Sequence, residues 1–585
     1  MIDHLNAAWT ELSSEGSMFA ISTTTVRGIP MRVFTNAPPT LRAMWDMTRA
    51  FDANPYVVFE DETYTYGEID AAVRSFAHYL RDTCGIAEGG RVAIAMRNYP
   101  EWVIAYWATT TIGASVVGMN AWWTTSEMRF GIVDSEATVI VADDERLERL
   151  FPVLDEIRGI RPLHVVAVRS DRELPDDAVY WSDVVTPETA PDQLPAATID
   201  PDDDATIFYT SGTTGTPKGA QLTHRGSVHN VMNLLFMTVV NELAEAKAVE
   251  AGDLDKPTVA ATEPGSTLVF MAPTPMFHVT ANNCVFHPAT VTGGKVVFMH
   301  KWDTARALEL IEREGVTNFS GVPTMSRELL LHPDWERRDT STIRGMGGGG
   351  AALQPDLVGK IDEALANGGP STGYGLTETC GIATANIRTA YLDRPDSAGR
   401  FVPTLDARLI EPDGTVLEPG PDVVGEVCVR GPVVIKGYLN RPRETADAIQ
   451  DGWFRTGDIG RIDEDGFLYI VDRSKDMVIR GGENVYCNEV EAAIYQHPDV
   501  TEAAVFGLPD DRLGEKVAAV IVTAPGSSLD EASLADFLSK DLAKFKIPEQ
   551  VWFRTDQLPR NANGKFLKRE LRDQIIKTSS DQART

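Results

Sequence analysis

Cysteine is scarce and scattered in this chain: Cys84, Cys284, Cys380, Cys428 and Cys487 are the 5 present in 585 residues, with no CxxC pair and no histidine at metal-ligand spacing. That excludes a disulfide-built scaffold and a structural zinc site, and it suits reduced thiols in a cytosol. Cys284 and Cys380, which fall beside candidate site strings, are read as small hydrophobes rather than nucleophiles. Basic charge is short too. Lysine and arginine total 54 against 85 acidic residues, a net charge of −31, so no basic face is available to neutralise a nucleic-acid backbone and nucleic acid is excluded as a partner. The N-terminus, MIDHLNAAWTELSSEG, lacks the basic and apolar regions of a secretory signal, which predicts a cytoplasmic location. Long apolar runs are also missing. The uncharged stretch 102–126 contains Gly113, Gly118 and Asn120 and divides into a helix over 101–112 and a strand over 114–119, which predicts buried α/β core and no transmembrane segment. Trp122 and Trp123 leave peripheral membrane contact open. Homo-oligomerisation is open as well. No internal repeat or long low-complexity tract occurs.

What is present is an alternation of short β-branched runs (YVVFE at 56–60, RVAIAM at 91–96, TVIVAD at 138–143, HVVAV at 164–168) with amphipathic helical stretches such as 66–81. This predicts an α/β fold with mainly parallel sheets, and a chain of 585 residues needs at least two domains. From about Val402 closely spaced strands with Gly and Pro turns predict a small antiparallel, barrel-like subdomain. From about Asp476 a separate α+β domain is expected. The acidic, alanine-rich segment 241–263 reads as a solvated excursion between a long helix and the next core strand, and residues after about Lys577 read as a frayed tail.

The densest chemistry lies in YTSGTTGTPKGA, residues 209–220. Gly212, Gly215 and Gly219 free the backbone so that successive N–H groups can converge on an anion. Thr210, Ser211, Thr213 and Thr214 add hydroxyl donors and Lys218 adds a point charge. The preceding residues read as a strand and 222–236 as a helix, so a strand-to-helix phosphate loop is expected. Its spacing departs from the common P-loop, because Lys218 stands between Pro217 and Gly219 instead of in a Gly-Lys-Ser/Thr string.

This loop resembles the phosphate-binding signature of the adenylate-forming superfamily, which includes acyl-CoA synthetases. Further strings agree in order: PMFHVT at 275–280, GGGGAAL at 347–353, GYGLTET at 373–379, FRTGD at 454–458, DRSKDMVIRGGENVYCNEVE at 472–491 and PRNANGK at 559–565. The resemblance spans roughly residues 50 to 570. It implies an N-terminal domain of two α/β subdomains plus the barrel-like subdomain over 1–471, a hinge at 472–475, a small mobile C-terminal domain over 476–577 and a flexible tail over 578–585. It also implies ATP, Mg²⁺ and coenzyme A as cosubstrates or cofactor, with a small carboxylic acid as the group activated.

Residue by residue, the resemblance assigns the loop to the β- and γ-phosphates, Tyr374 with Gly375 to the adenine, Thr377 to the α-phosphate, and Glu378 with the Thr210 hydroxyl to Mg²⁺. The glycine run ending at Gly350, with Ala351, is expected to place bare backbone beside adenine and acyl group. Asp458 would accept the ribose hydroxyls with Arg473 in support, and Lys565 would bridge carboxylate and α-phosphate in the transition state. Lys475 holds the hinge position. Gly481, Gly482 and Glu483 would line a pantetheine tunnel, with Lys544 and Lys546 near the CoA nucleotide. His278 stands where amino-acid-activating relatives carry an aspartate. It is read as a histidine on a core strand that either gates the acyl group or merely packs. The uncharged strings VTANNCVF and SGVPTMS suit a fatty, aryl or alicyclic acid. An acyl-CoA synthetase follows. An acyl-AMP ligase serving a carrier protein and a non-catalytic acyl-nucleotide-binding protein are the two alternatives.

Overall fold

The computed structural model describes residues 1–210, 217–259, 267–350, 353, 355–420, 422–473, 476–480, 483–510, 512–560 and 566–582. Two compact units form: Met1–Asp406 with Val429–Phe454, and Ala407–Cys428 with Arg455–Thr585.

In the first unit one sheet has the order Lys218–Thr223, Asp204–Thr210, Ser115–Gly118, Arg91–Ala95, Val139–Asp143, His164–Val168, Ala178–Tyr180. All its pairings are parallel except the first. Central strands such as Val139–Asp143 are buried along their whole length, as their unbroken aliphatic runs require when helices cover both faces. A second sheet places Gly345–Gly348 between Asn318–Gly321 and Gly369–Leu376, again in parallel, with Gly381–Ile387 antiparallel at the next position. The uncharged stretch folds as expected. Pro100–Thr111 is a helix whose apolar side chains are buried on every face, and Ser115–Gly118 is a strand. Among the described residues no helix is long and apolar enough to cross a membrane. Trp123 is buried, whereas Trp122 is exposed under the Arg97 guanidinium.

Two sequence expectations fail here. The phosphate segment does not join a strand to a helix: Asp204–Thr210 pairs antiparallel with Lys218–Thr223, so it joins two strands. The helix starts only at His224, where the Thr223 hydroxyl accepts the Gly226 N–H, because Thr223 is the first good cap in that string. The first part of the acidic segment, 241–251, is not a solvated excursion either, whereas 252–258 is irregular and mostly exposed. The helix runs unbroken to Ala251 and ends at Gly252 in the left-handed region, since alanine, glutamate and lysine are strong helix formers. Within it Glu245 is buried, accepting from Thr258 N–H and Oγ1 and from Thr389 Oγ1, while Lys247 pairs with Glu11 and Glu242 with Arg388.

The second unit contains the antiparallel pair Trp453–Ile462 and Phe467–Arg473. Its α+β part is built on Val500–Asp510 antiparallel to Gly514–Thr523, with Gln550–Arg554 parallel beside them. Helices Cys487–Tyr495 and Glu531–Leu538 close one face around Val490, Ile494, Val505, Ile521 and Leu534. The last helix runs from Lys568 to Gln582, past the point where fraying was expected.

Candidate active site

In the first unit Thr210 ends its strand opposite Lys218 in the last register pair, with the Thr210 hydroxyl 3.5 Å from the Lys218 carbonyl oxygen. The two ends of the glycine- and threonine-rich segment are thus held one strand spacing apart. Ser211, Gly212, Thr213, Thr214 and Gly215 lie outside the described residues. Along the other edge of Lys218–Thr223 runs an extended segment in which Gly437 O accepts the Gln221 N–H and Leu439 N–H donates to Gly219 O. That pairing delivers Tyr438. The Lys218 ammonium stands 5.1 Å from the Tyr438 ring centroid, and the phenol donates to Glu378 Oε1 over 2.8 Å. Burial first, then the Glu378 carboxylate, hold the phenol pKa well above its ordinary value, so the proton stays on Tyr438.

Glu378 is presented by a single helical turn, Thr377–Thr379, that follows the strand Gly369–Leu376. The turn is fastened where Leu376 N–H donates to Thr379 Oγ1 and Ile435 N–H donates to Glu378 O. One cation and one carboxylate therefore flank one phenol. Tyr438 was missed in the sequence because its string, VVIKGYLN, lies outside the motif strings that mark the other candidates. Its role depends on partners distant in the chain.

Tyr374 lies half-buried on the same strand, opposite Thr384. A Cβ on Gly375 would stand 1.8 Å from Gly381 O, so that glycine is required by the neighbouring strand. The glycine run needs a similar correction. A Cβ on Gly347 would meet Ser371 O at 1.8 Å and one on Gly348 would meet Gly321 O at 1.8 Å, so strand packing selects both. Only Gly350 fits the expectation of open space: its φ is +86° and nothing lies within 4 Å of where its Cβ would stand. Ala351 is outside the described residues.

His278 is not on a core strand. It stands before the short helix Val279–Ala281, with extended backbone and its ring packed on Phe277. The loop that carries it follows Val269–Ala272 and is held by Asn98, which accepts the Met276 N–H and donates to Thr274 O. The string after it is uncharged but not uniformly apolar, since Asn282 and Asn283 are fully buried in a hydrogen-bonded pair. Burial pushes the Cys284 and Cys380 thiols up to about 12, which keeps them protonated and unreactive.

In the second unit Asp458 and Arg473 are register partners on neighbouring strands, with Arg473 Nε 3.1 Å from Asp458 Oδ1. Asp458 is 3% exposed, an acceptor-only group at the end of a half-exposed guanidinium. Beside it, buried Asp472 accepts the N–H groups of Arg473 and Cys487, and burial pushes its carboxyl up to about 6. Lys544 is exposed at the start of the turn Lys544–Lys546. Lys546 is bound to both carboxylate oxygens of Glu489 at 2.6 and 2.7 Å, within the same unit. Glu483 opens the strand Glu483–Val485, paired with Val478–Arg480. Lys475, Gly481, Gly482 and Lys565 are outside the described residues. The ends that bracket 561–565 are joined: Leu567 N–H donates to Pro559 O, and Arg560, bound to Glu502, bridges to Phe566.

Comparison with known proteins gives two family matches along the chain. Residues 46–439 match the family described as AMP-binding enzyme, and residues 489–565 match the AMP-binding enzyme C-terminal domain. Over 511 residues the chain is 36% identical to a feruloyl-CoA synthase of an Amycolatopsis species, covering 87% of this chain and 93% of that protein. It is 32% identical to a long-chain-fatty-acid–CoA ligase of Bacillus subtilis, covering 90% and 92%. Among solved structures, ATP-bound MatB from Rhodopseudomonas palustris is 30% identical and superposes with a TM-score of 0.76 over 92% of this chain and 99% of that one. The chain belongs to the AMP-binding enzyme family, in its acyl-CoA synthetase branch.

Proposed function

We propose that this enzyme joins an apolar fatty or aryl carboxylic acid to coenzyme A at the expense of ATP, through an acyl-AMP intermediate, with release of pyrophosphate and then AMP. The observation that carries this reading is the Lys218–Tyr438–Glu378 constellation at the base of the glycine- and threonine-rich segment. Carboxylate attack on an α-phosphate brings several anions together, so the protein's main task is electrostatic. Lys218 and the segment from Thr210 take the β- and γ-phosphates, and Thr377 the α-phosphate. Tyr374 lies along the adenine, with Gly350 leaving room beside it.

Among the described residues no cluster of three or more metal-ligating side chains exists. A phosphate-borne Mg²⁺ needs only one or two carboxylates, its remaining ligands being phosphate oxygens and water. Glu378, with the Thr210 hydroxyl, fits that demand. When bound, Mg²⁺ neutralises phosphate charge.

Asp458 accepts from the ribose hydroxyls and Arg473 supports it. Lys565 neutralises charge as carboxylate and α-phosphate join. Rotation at Lys475 then exchanges Lys565 for the segment from Gly481 to Glu483, which lines the approach of CoA, with Lys544 toward its nucleotide. His278 orients the acyl group. The domains divide as 1–471, hinge 472–475 and 476–577, and the enzyme works in the cytoplasm. The relatives named for feruloyl-CoA and for long-chain fatty acids direct the substrate search to aryl and long-chain acids.

The test is pyrophosphate exchange into ATP, expected only when both acid and Mg²⁺ are present, across free acids graded in chain length and ring content. CoA consumption then identifies the acceptor. Exchange without acid, or formation of ADP, would overturn adenylation. A product that forms only with a carrier-protein thiol would replace CoA as acceptor.

A further inference from the structure

We propose that Glu426 is the positioning residue that holds the backbone of Asp458 for nucleotide binding, an inference that rests on the ribose role proposed for Asp458. Gly457, directly before Asp458, has φ +72° with nothing within 4 Å of where its Cβ would stand. Backbone conformation, not crowding, therefore selects glycine there. A left-handed residue inside a strand needs an acceptor placed for its amide, and Glu426 supplies one: Oε1 accepts the Gly457 N–H over 3.2 Å. The other oxygen, Oε2, accepts Arg455 Nε–H at 3.0 Å as well as Arg455 Nη2–H. Between these, the Thr456 hydroxyl donates to Val427 O at 2.7 Å and accepts the Asp458 N–H at 3.1 Å.

Residues 455–458 are thus tied, one after another, to the pair Glu426–Val427, and each Glu426 oxygen has its own task. The carboxylate is largely buried, with its side chain 13% exposed, so these bonds compete little with water. Aspartate at 426 would be a methylene too short. Glutamine would keep an acceptor for Gly457 but turn an amide N–H₂ toward the Arg455 donors. Asp458 itself bonds no side chain of residues 426–427; its geometry is passed on through the backbone between Arg455 and Asp458.

The experiment is a double-mutant cycle on the full-length enzyme with Glu426→Ala, Asp458→Ala and the pair, read by ATP titration calorimetry, by the KM of each substrate and by thermal midpoint. Glu426→Ala should raise the Kd and KM for ATP about tenfold, the low end of what loss of a supporting hydrogen-bond partner costs at metal sites, with the KM values for acid and CoA within about twofold of wild type. Glu426→Gln should lie between wild type and Glu426→Ala. The double variant should bind ATP no more weakly than Asp458→Ala alone, because both changes remove one unit of function. Additive losses, or an equal rise in KM for all three substrates, would overturn the positioning role. If Asp458→Ala leaves ATP affinity unchanged, the ribose reading falls and this inference with it. If Asp458→Ala weakens ATP and Glu426→Ala does not, the positioning role alone falls. Should Glu426→Ala be insoluble, the same cycle with Glu426→Gln decides, an additive result again overturning the proposal.

Discussion

Tyr438 and Glu378, sixty residues apart in the chain (|i−j| = 60), are joined by a 2.8 Å hydrogen bond from phenol to carboxylate, and the same phenol ring lies under the Lys218 ammonium. The bond engages Oε1 of Glu378, and the ring contact engages the cation. The two contacts can be separated by substitution. Tyr438→Phe removes the bond and keeps the ring; a hydrogen bond to a charged group is worth about 1.5–3 kcal/mol, so kcat/KM for ATP should fall roughly tenfold or more. Tyr438→Leu also removes the cation–π contact, worth about 0.5–2 kcal/mol, and should fall severalfold further. Pyrophosphate release measures both. Equal losses in the two variants would remove the ring from the account, and no loss in Tyr438→Phe would remove the bond.

The glycines at 347–350 should differ sharply when changed to alanine. At Gly347 and Gly348 the added carbon would lie 1.8 Å from a neighbouring carbonyl oxygen in the sheet, an overlap that only backbone displacement relieves, so a loss of about 4 kcal/mol or more, or failure to fold, is expected. Gly350→Ala meets no atom but must hold φ near +86°, a strain of about 1–2 kcal/mol. Urea unfolding of the soluble variants gives the comparison. Equal destabilisation at 348 and 350 would contradict the packing account.

Acid stability should be governed by buried neutral histidines. The His224 ring accepts the Leu41 N–H, and His229 accepts the Phe34 N–H while its other nitrogen faces Arg225 O. Burial brings His224 and His229 down to about 4 and His287 to about 3. A histidine whose folded pKa lies below its unfolded value takes its proton first in the unfolded chain, so stability is lost as pH falls from about 6.5 toward 4. Three such groups contribute a slope of roughly 4 kcal/mol per pH unit over the lower part of that window, offset in part by Asp472, whose raised carboxyl takes its proton first in the folded chain. His224→Gln should flatten it by about a third in urea unfolding across pH 4.5–7. An unchanged slope would mean that His224 is not held neutral.

The half-reactions should separate at Lys565 and Lys475. Lys565→Ala should slow acyl-AMP formation about a hundredfold or more, as removal of a preorganised charge does at a transition state, and should leave transfer from supplied acyl-AMP to CoA near normal. Lys475→Pro fixes φ at the proposed hinge and should permit adenylation while impairing thioester formation. Single-turnover assays of each step decide. Equal damage to both steps by Lys565→Ala, or none by Lys475→Pro, would exclude domain alternation.

The sequence by itself determined the chemistry class, the α/β architecture and most strand positions, because these rest on local properties: aliphatic runs that must be buried, glycines and hydroxyls crowded around Lys218, and motif strings in family order. It also carried the Asp458–Arg473 pair, since each lies in its own recognisable string. Only the tertiary structure decided the rest. The phosphate segment became a strand-to-strand connection because Lys218–Thr223 finds Asp204–Thr210 on one side and 436–439 on the other, pairings that local propensity cannot report. The start of the acidic stretch, 241–251, has helix formers of its own, but its docking depends on partners elsewhere in the chain for Lys247, Glu242 and Glu245. Tyr438 and Glu426 acquired their places the same way: a phenol or a carboxylate is ordinary in any string, and its function is set by which distant donor or acceptor the folded backbone brings within about 3 Å.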